Sequence, residues 1–293
     1  MKYLNVFTIV AILLLSSCKE KAKKEVSEPK IEEIKETVLV HKWSADTLLT
    51  TSESVIYDKK RDILYVSNIA GVPDEADGIG FISKVDLEGN ITDVNWISGL
   101  DAPKGLGIVG DKLYVTDLTN LVEIDIDAGK VSKTIPIEGS VFLNDITTTS
   151  DGKVYISDSN GGNFFVYENG MTTRLMEGLP GPNGVLSDGD TFLMALWDEK
   201  TLNTLNLETN EITKRTEGIE NPDGIEAVGD GSYLVSSWQG LVHLVNADWS
   251  KKILLDTSSD EIGAADIEYI QEKNLLLVPT FYKNGLMAYE LIK

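Results

Sequence analysis

One cysteine, two histidines and no long apolar stretch set the first limits on this 293-residue chain. Because Cys18 is the only cysteine, everything downstream of it is without a disulfide, a thiolate nucleophile or a cysteine-based zinc site. His41 and His243 stand far apart, with no partner at zinc-ligand spacing and no nucleophile motif beside either, so a Ser-His-Asp mechanism has no visible base. Both read as strand or surface residues. Positive charge is scarce as well: 26 Lys and Arg against 47 Asp and Glu leave a net −21. Such a surface repels phosphate backbones and anionic lipid, so nucleic acid is excluded as a partner and any membrane attachment has to come from an anchor. Sustained 3.6-residue apolar periodicity, the mark of amphipathic helices, is missing too.

Residues 1–18 read as an address. Lys2 gives a basic start, and the mostly apolar run Val6 to Leu15 is too short for a spanning helix but has signal-peptide proportions. It ends Leu15-Ser16-Ser17-Cys18, which resembles a lipobox, the motif whose cysteine is lipidated and becomes the new N-terminus. The expectation is an exported lipoprotein held in the cell envelope through Cys18, on the periplasmic or the surface face of the outer membrane. Residues 19–36 carry six Lys and six Glu with no aromatic residue, a composition that cannot bury enough surface to fold and reads as a solvated tether. The acidity therefore belongs to residues 37–293.

That segment repeats itself. Ser52-Glu53-Ser54-Val55, Pro103-Lys104-Gly105-Leu106, Leu143-Asn144-Asp145-Ile146, Pro182-Asn183-Gly184-Val185, Pro222-Asp223-Gly224-Ile225 and Ala264-Ala265-Asp266-Ile267 open six units, whose starts are 51, 40, 39, 40 and 42 residues apart. Each continues into a second short apolar strand such as Lys112-Leu113-Tyr114-Val115-Thr116-Asp117 or Lys153-Val154-Tyr155-Ile156-Ser157-Asp158, and the strands are split by Asp-Gly, Gly-Asp and Gly-Asn turns. Four strands per unit and six units predict an all-β, six-bladed β-propeller of antiparallel blades, a ring without exposed edges. The extra length of the first unit falls in the polar loop Gly71 to Gly78. Residues 38 to 48 are expected to supply the outer strand of the sixth blade, latching the two ends of the ring. Asp117 and Asp158, at the ends of second strands, read as turn caps. Trp197 and Trp238 read as blade-to-blade packing or as walls for a ligand. Asp145, Glu226, Asp266 and Glu268 are open to two readings, groups orienting metal ligands or surface charge.

The second residue of each innermost strand occupies the same slot, and the six slots read Glu53, Lys104, Asn144, Asn183, Asp223, Ala265. Innermost strands line a propeller's channel, so these side chains should converge. Two carboxylates with amide oxygens form a hard-oxygen set of the kind Ca²⁺ prefers, with water completing the shell. Hydrogen bonding to loops at the channel mouth is the other use such side chains have.

With Glu53, Leu143-Asn144-Asp145, Pro182-Asn183-Gly184 and Pro222-Asp223-Gly224 in these places, residues 37–293 resemble the gluconolactonase / regucalcin / luciferin-regenerating-enzyme-like family. The resemblance implies one divalent cation, usually Ca²⁺, held by Glu53, Asn183 and Asp223. It also implies Asn144 contacting substrate or a water on the metal, and Asp223 as the general base of lactone hydrolysis. Where sugar-lactonase members commonly carry an Arg two residues before the Asn-Asp asparagine, this chain has Phe142. Lys104 either replaces that positive charge toward the substrate or pairs with Glu53 or Asp223 and keeps a metal out. Two functions stay open at this point. One is a monomeric, metal-dependent hydrolase of a lactone or small ester. The other is a non-catalytic propeller that binds a sugar, a peptide or a partner protein at the envelope.

Overall fold

The computed structural model describes residues 36–45 and 47–293; the expected signal segment with Cys18 and the tether up to residue 35 lie outside them. The first strand is β1 (Val38–Ser44). Blade 1 follows as β2 (Ser52–Asp58), β3 (Ile63–Asn68), β4 (Gly80–Val85) and β5 (Ile91–Leu100), and blade 2 as β6 (Pro103–Val109), β7 (Lys112–Asp117), β8 (Asn120–Asp125) and β9 (Lys130–Pro136). Blade 3 is β10 (Leu143–Thr148), β11 (Val154–Asp158), β12 (Asn163–Glu168) and β13 (Met171–Met176); blade 4 is β14 (Pro182–Asp188), β15 (Thr191–Leu196), β16 (Thr201–Asn206) and β17 (Glu211–Glu217). Blade 5 is β18 (Pro222–Ala227), β19 (Tyr233–Ser237), β20 (Leu241–Val245) and β21 (Lys251–Asp256). Blade 6 is β22 (Glu268–Ile270), β23 (Leu275–Pro279) and β24 (Leu286–Ile292), completed by β1. Helical structure among the described residues is limited to two 3₁₀ turns, Ser258–Asp260 and Gln271–Lys273, and no helix there is long and apolar enough to cross a membrane.

The six-bladed reading is thus met, including the latch, except that the innermost strand of blade 6 begins at Glu268 and leaves the expected opening Ala264-Ala265-Asp266-Ile267 ahead of it, tied to blade 1 by an isolated bridge from Asp266 to Ser54. β1 runs antiparallel to β24 from Val38 opposite Ile292 to Ser44 opposite Met287, with a bulge between His41 and Trp43. It is shorter than expected, because the chain turns after Ser44 instead of continuing to residue 48. Most of β1 is exposed, and Trp43 fixes it: the indole N–H donates to Leu87 O of blade 1 at 2.8 Å while the ring packs against the buried apolar layer between blades 6 and 1. Lys42 adds a 2.8 Å ion pair with Glu290. The polar loop Gly71 to Gly78 joins β3 to β4.

Apolar residues on both faces of each blade pack against the next blade. Leu106, Val115 and Val122 of blade 2 meet Tyr65, Ile82 and Ile97 of blade 1, and equivalent layers sit between every neighbouring pair, closing with blade 6 on blade 1. Each fully buried Leu, Ile or Val in these layers stabilises the ring by about 1.5–3 kcal/mol relative to exposure. A small seventh cluster, Ile69, Ala102, Ala265 and Phe281, with Trp238 against it, lies over the channel mouth.

Candidate functional site

The slot residues owe their direction to a repeated irregularity. In β2 and β3, Ser52 pairs with Asn68 but the next pair is Val55 with Val66, so Glu53 and Ser54 together face Ser67. The same two-against-one count recurs at Lys104 and Gly105, Asn144 and Asp145, Asn183 and Gly184, and Asp223 and Gly224. Each is a β-bulge, which bends the strand and re-aims a side chain out of the ladder. The bulge leaves a backbone N–H without its ladder partner, and a hydroxyl on the second strand takes it. Ser54 N–H donates to Ser67 Oγ at 2.9 Å, Asp145 N–H to Ser157 Oγ at 2.9 Å, and Gly224 N–H to Ser236 Oγ at 2.8 Å. In blade 2 the hydroxyl of Thr116 instead donates to Asn144 O of the next blade. Blade 4 has Ala195 at this place. Glycine follows the slot where neighbouring innermost strands crowd: a Cβ on Gly184 would run into the backbone carbonyl of Asp223.

The bulges bring all five polar slot residues together. Glu53, Lys104, Asn144, Asn183 and Asp223 line one cavity of about 200 Å³, with Phe142, Trp197, Trp238, Phe281 and Tyr282 among its walls. Ala265, the sixth slot, contributes backbone only: its N–H donates to Pro279 O at 3.1 Å, and the following N–H, of Asp266, to Glu53 O at 3.0 Å. Asn183 and Asp223 are 2% and 4% exposed, and Glu53 is 5% exposed. Asn183 Nδ2 donates to Asp223 Oδ1 at 3.0 Å and to Pro222 O at 3.3 Å, which leaves the amide oxygen with no hydrogen-bond partner. Glu53 Oε2 is likewise buried and unpartnered. Asn144 Nδ2 donates to Ser159 Oγ at 3.0 Å, and that hydroxyl donates to Pro182 O at 2.8 Å.

Lys104 does not pair with either carboxylate. Its ammonium donates to Ala102 O at 2.9 Å and sits 4.2 Å from the centroid of the Phe142 ring, a cation–π contact. The two aspartates read as turn caps hold both of these partners. Asp117 accepts the N–H groups of Asp101 and Ala102, and Asp158 accepts those of Val141 and Phe142. Phe142, the departure from the sugar-lactonase pattern, is therefore the platform on which Lys104 rests.

Electrostatics follow from burial. Loss of water pushes the Glu53 carboxyl well above its usual range, the charges of Asp223 and Asp266 push it further, and Lys104 offsets part of the rise. Burial raises Asp223 in the same way, with Asp266 adding to it and the Asn183 amide opposing it. Desolvation pushes Lys104 down to about 8 against the pull of Glu53, Asp117 and Asp74. Among the described residues no three His, Cys, Asp or Glu side chains form a metal-ligating cluster. The expected ligand set needs none: Glu53, Asp223 and the Asn183 oxygen, with water, fit a hard cation, and two of those oxygens have no other partner.

The other acidic residues take a different place. Asp145, Glu226, Asp266 and Glu268 line a second cavity of about 190 Å³ further along the innermost strands. They are not surface charge. Nor does any of them hydrogen-bond the oxygens of Glu53, Asn183 or Asp223 through its side chain: Asp145 accepts Ile146 N–H and Val185 N–H at 2.7 Å each, and Asp266 accepts the Ser54 hydroxyl at 2.5 Å. Burial, then the charge of Asp266, pushes Glu268 up to about 8. His243 is buried in β20 and His41 is exposed on β1, and neither lines the cavity.

Comparison with known proteins gives fold and no more. No protein-family model matches the chain, and no curated protein matches it in sequence. Solved structures do match. A catalytically inactive virginiamycin B lyase from Staphylococcus aureus with quinupristin is 14% identical at a TM-score of 0.62, covering 88% of this chain and 100% of that one. A streptogramin B lyase is 11% identical at a TM-score of 0.62, covering 88% and 98%. The selenomethionine form of the Staphylococcus aureus virginiamycin B lyase is 15% identical at a TM-score of 0.62, covering 88% and 100%. At these identities the likeness shows the fold alone, and fold does not fix chemistry.

Proposed function

We propose that this protein is a divalent-cation-dependent hydrolase of a lactone or related small ester, tethered to the cell envelope through Cys18. The observation that supports the reading is the pair of buried, unpartnered oxygens, Glu53 Oε2 and Asn183 Oδ1, sharing one cavity with Asp223. A buried acceptor without a donor costs about 1–3 kcal/mol, and a bound cation removes that cost. Glu53, Asn183 and Asp223 would hold the ion, and an all-oxygen set with only two carboxylates suits Ca²⁺ at the weak end of its range, about 10⁻⁴–10⁻³ M. When bound, the cation supplies Lewis-acid polarisation of the substrate carbonyl.

The chain's own groups do the rest. Asp223 takes a proton from the attacking water as its oxygen bonds to the carbonyl carbon. The ring or ester C–O bond then breaks, and the proton passes to the departing oxygen, leaving a hydroxy acid or an acid and an alcohol. Lys104, held by Ala102 O and the Phe142 face, presents positive charge to the carbonyl or carboxylate oxygen of the substrate. Asn144, fixed by Ser159, orients it. The aromatic wall favours a second reading, in which the same cavity binds its ligand without turnover.

Thermal melting with millimolar Ca²⁺ and with EDTA tests the cation site. The expected result is a Ca²⁺-dependent rise in Tm that Glu53→Gln and Asp223→Asn abolish. An unchanged Tm in both conditions removes the cation. A lactone panel then separates enzyme from binder: turnover by the wild type and none by Asp223→Ala is expected, and equal turnover in both removes Asp223 from the chemistry.

A further inference from the structure

A small aliphatic lactone would need only the central chamber, yet that chamber shares wall residues with two larger clefts. On the blade 3 and 4 side, Phe142 and Trp197 also line a cleft of about 590 Å³; on the blade 5 and 6 side, Trp238, Phe281 and Tyr282 also line one of about 650 Å³. The two sides are not equivalent. The Phe142 face is already covered by the Lys104 ammonium. The Trp238, Phe281 and Tyr282 rings form a mutually edge-on group, with centroids 5.4 Å, 5.6 Å and 4.7 Å apart, and among the described residues no Lys or Arg lies over any of the three. Tyr282 is 63% exposed at the rim although its ring neighbours are apolar. Edge-on clusters of this kind accept a further ring by stacking or edge contact. The charged groups nearby, Glu261 and Lys283, face each other at 3.6 Å at the outer side of this cleft, beside Gln239 and Ser258.

We infer that the substrate carries an aromatic ring seated on the Trp238–Phe281–Tyr282 wall, joined by a short link to the carbonyl held over Glu53, Asn183 and Asp223: an aryl-bearing lactone or ester, not a sugar lactone. The inference rests on the hydrolase reading for the carbonyl, and on the aromatic wall alone for the ring.

The test uses three lactones, dihydrocoumarin, γ-butyrolactone and glucono-δ-lactone, with the full domain in Ca²⁺, and separately measures binding of the hydrolysis product 3-(2-hydroxyphenyl)propanoate by saturation-transfer NMR. Trp238→Leu keeps an apolar side chain against the Ile69, Ala102, Ala265 and Phe281 cluster, and Tyr282→Ala alters a position that is 63% exposed; circular dichroism and Tm check that each variant is folded before its kinetics are read. The expected result is a preference for dihydrocoumarin over both other lactones. In each variant the ratio of kcat/KM for dihydrocoumarin to that for γ-butyrolactone should fall about tenfold. Turnover of all three with that ratio unchanged in both variants overturns the aromatic seat and leaves the hydrolase reading standing. Absence of turnover, with product binding weakened about tenfold by both variants, keeps the aromatic seat and overturns the hydrolase. Neither turnover nor product binding overturns both.

Discussion

Asn183 donates its side-chain amide to Asp223 at 3.0 Å and so turns its own carbonyl oxygen, unpartnered, into the cavity. One hydrogen bond thereby fixes two acceptors at once. Asn183→Asp replaces the donor by a third acidic group beside Asp223. In EDTA this variant should melt below the wild type, because like charges then meet in a buried site. In millimolar Ca²⁺ it should gain more Tm than the wild type does. Differential scanning fluorimetry reads both, and a Ca²⁺ response no larger than the wild type's would remove the Asn183 oxygen from the site.

The hydroxyls opposite the bulges carry a stability prediction of their own. Ser157→Ala and Ser236→Ala strand the N–H groups of Asp145 and Gly224 in buried positions. Each should cost about 1–3 kcal/mol in denaturant unfolding. Loss of less than about 0.5 kcal/mol in both would mean that the bulge finds another partner.

Two buried groups should act on stability in opposite directions over pH windows that overlap between 4.5 and 6.5. Glu268 keeps its proton in the folded protein up to about 8, its burial being the main cause and Asp266 the next, whereas the unfolded chain loses it near 4.5. The folded state therefore binds more protons between those values, and stability falls as pH rises through the window. His243 is the opposite case. Burial, then Lys251, pushes it down to about 4 from 6.5, so below 6.5 the unfolded chain binds the extra proton and stability falls as pH drops, by at most about 1.4 kcal/mol per pH unit. Glu268→Gln should flatten the wild-type decline between pH 6.5 and 8, and His243→Phe should ease the loss between pH 6.5 and 4. Urea midpoints across pH 4–9 check both arms.

Two glycines should respond differently to the same methyl group. Gly184→Ala drives a Cβ into the Asp223 carbonyl, so the slot must shift; about 1–3 kcal/mol of stability and most of the Ca²⁺ response should go together. Gly170→Ala, at φ +81° in an open turn, should cost only about 1–2 kcal/mol through backbone strain and leave the Ca²⁺ response intact.

The lipobox reading has its own assay. The full-length chain expressed in a bacterial host should partition into the detergent phase of Triton X-114, and Cys18→Ser should move it to the aqueous phase. Wild-type protein in the aqueous phase would remove the anchor.

Blade number, strand order and the latch were legible because the repeat is written in apolar strands and turn residues, which act locally. The slot was legible too, since all six members take the same position in the repeat and five of them are polar. The bulges were not. A two-against-one register depends on how a strand pairs with its neighbour, and the sequence shows it only through the hydroxyls of Ser67, Thr116, Ser157 and Ser236, each one residue before a strand end. Asp117 and Asp158 next to two of those hydroxyls are legible as caps, but not that the turns they cap hold Lys104 and Phe142. The ring of aromatics was half visible: Trp197 and Trp238 share a place in successive blades, whereas Phe281 and Tyr282 reach the mouth only because blade 6 closes against blade 1.

Five residues that stand outside the ladder have no register to keep. Exchanging Lys104 or Asn144 for another side chain unmakes no strand pair, so the propeller can swap chemical fittings at its centre while the frame that carries them stays the same. A lineage could pass from one ligand to another by a few such exchanges, and two propellers of equal outline are free to share nothing at the axis.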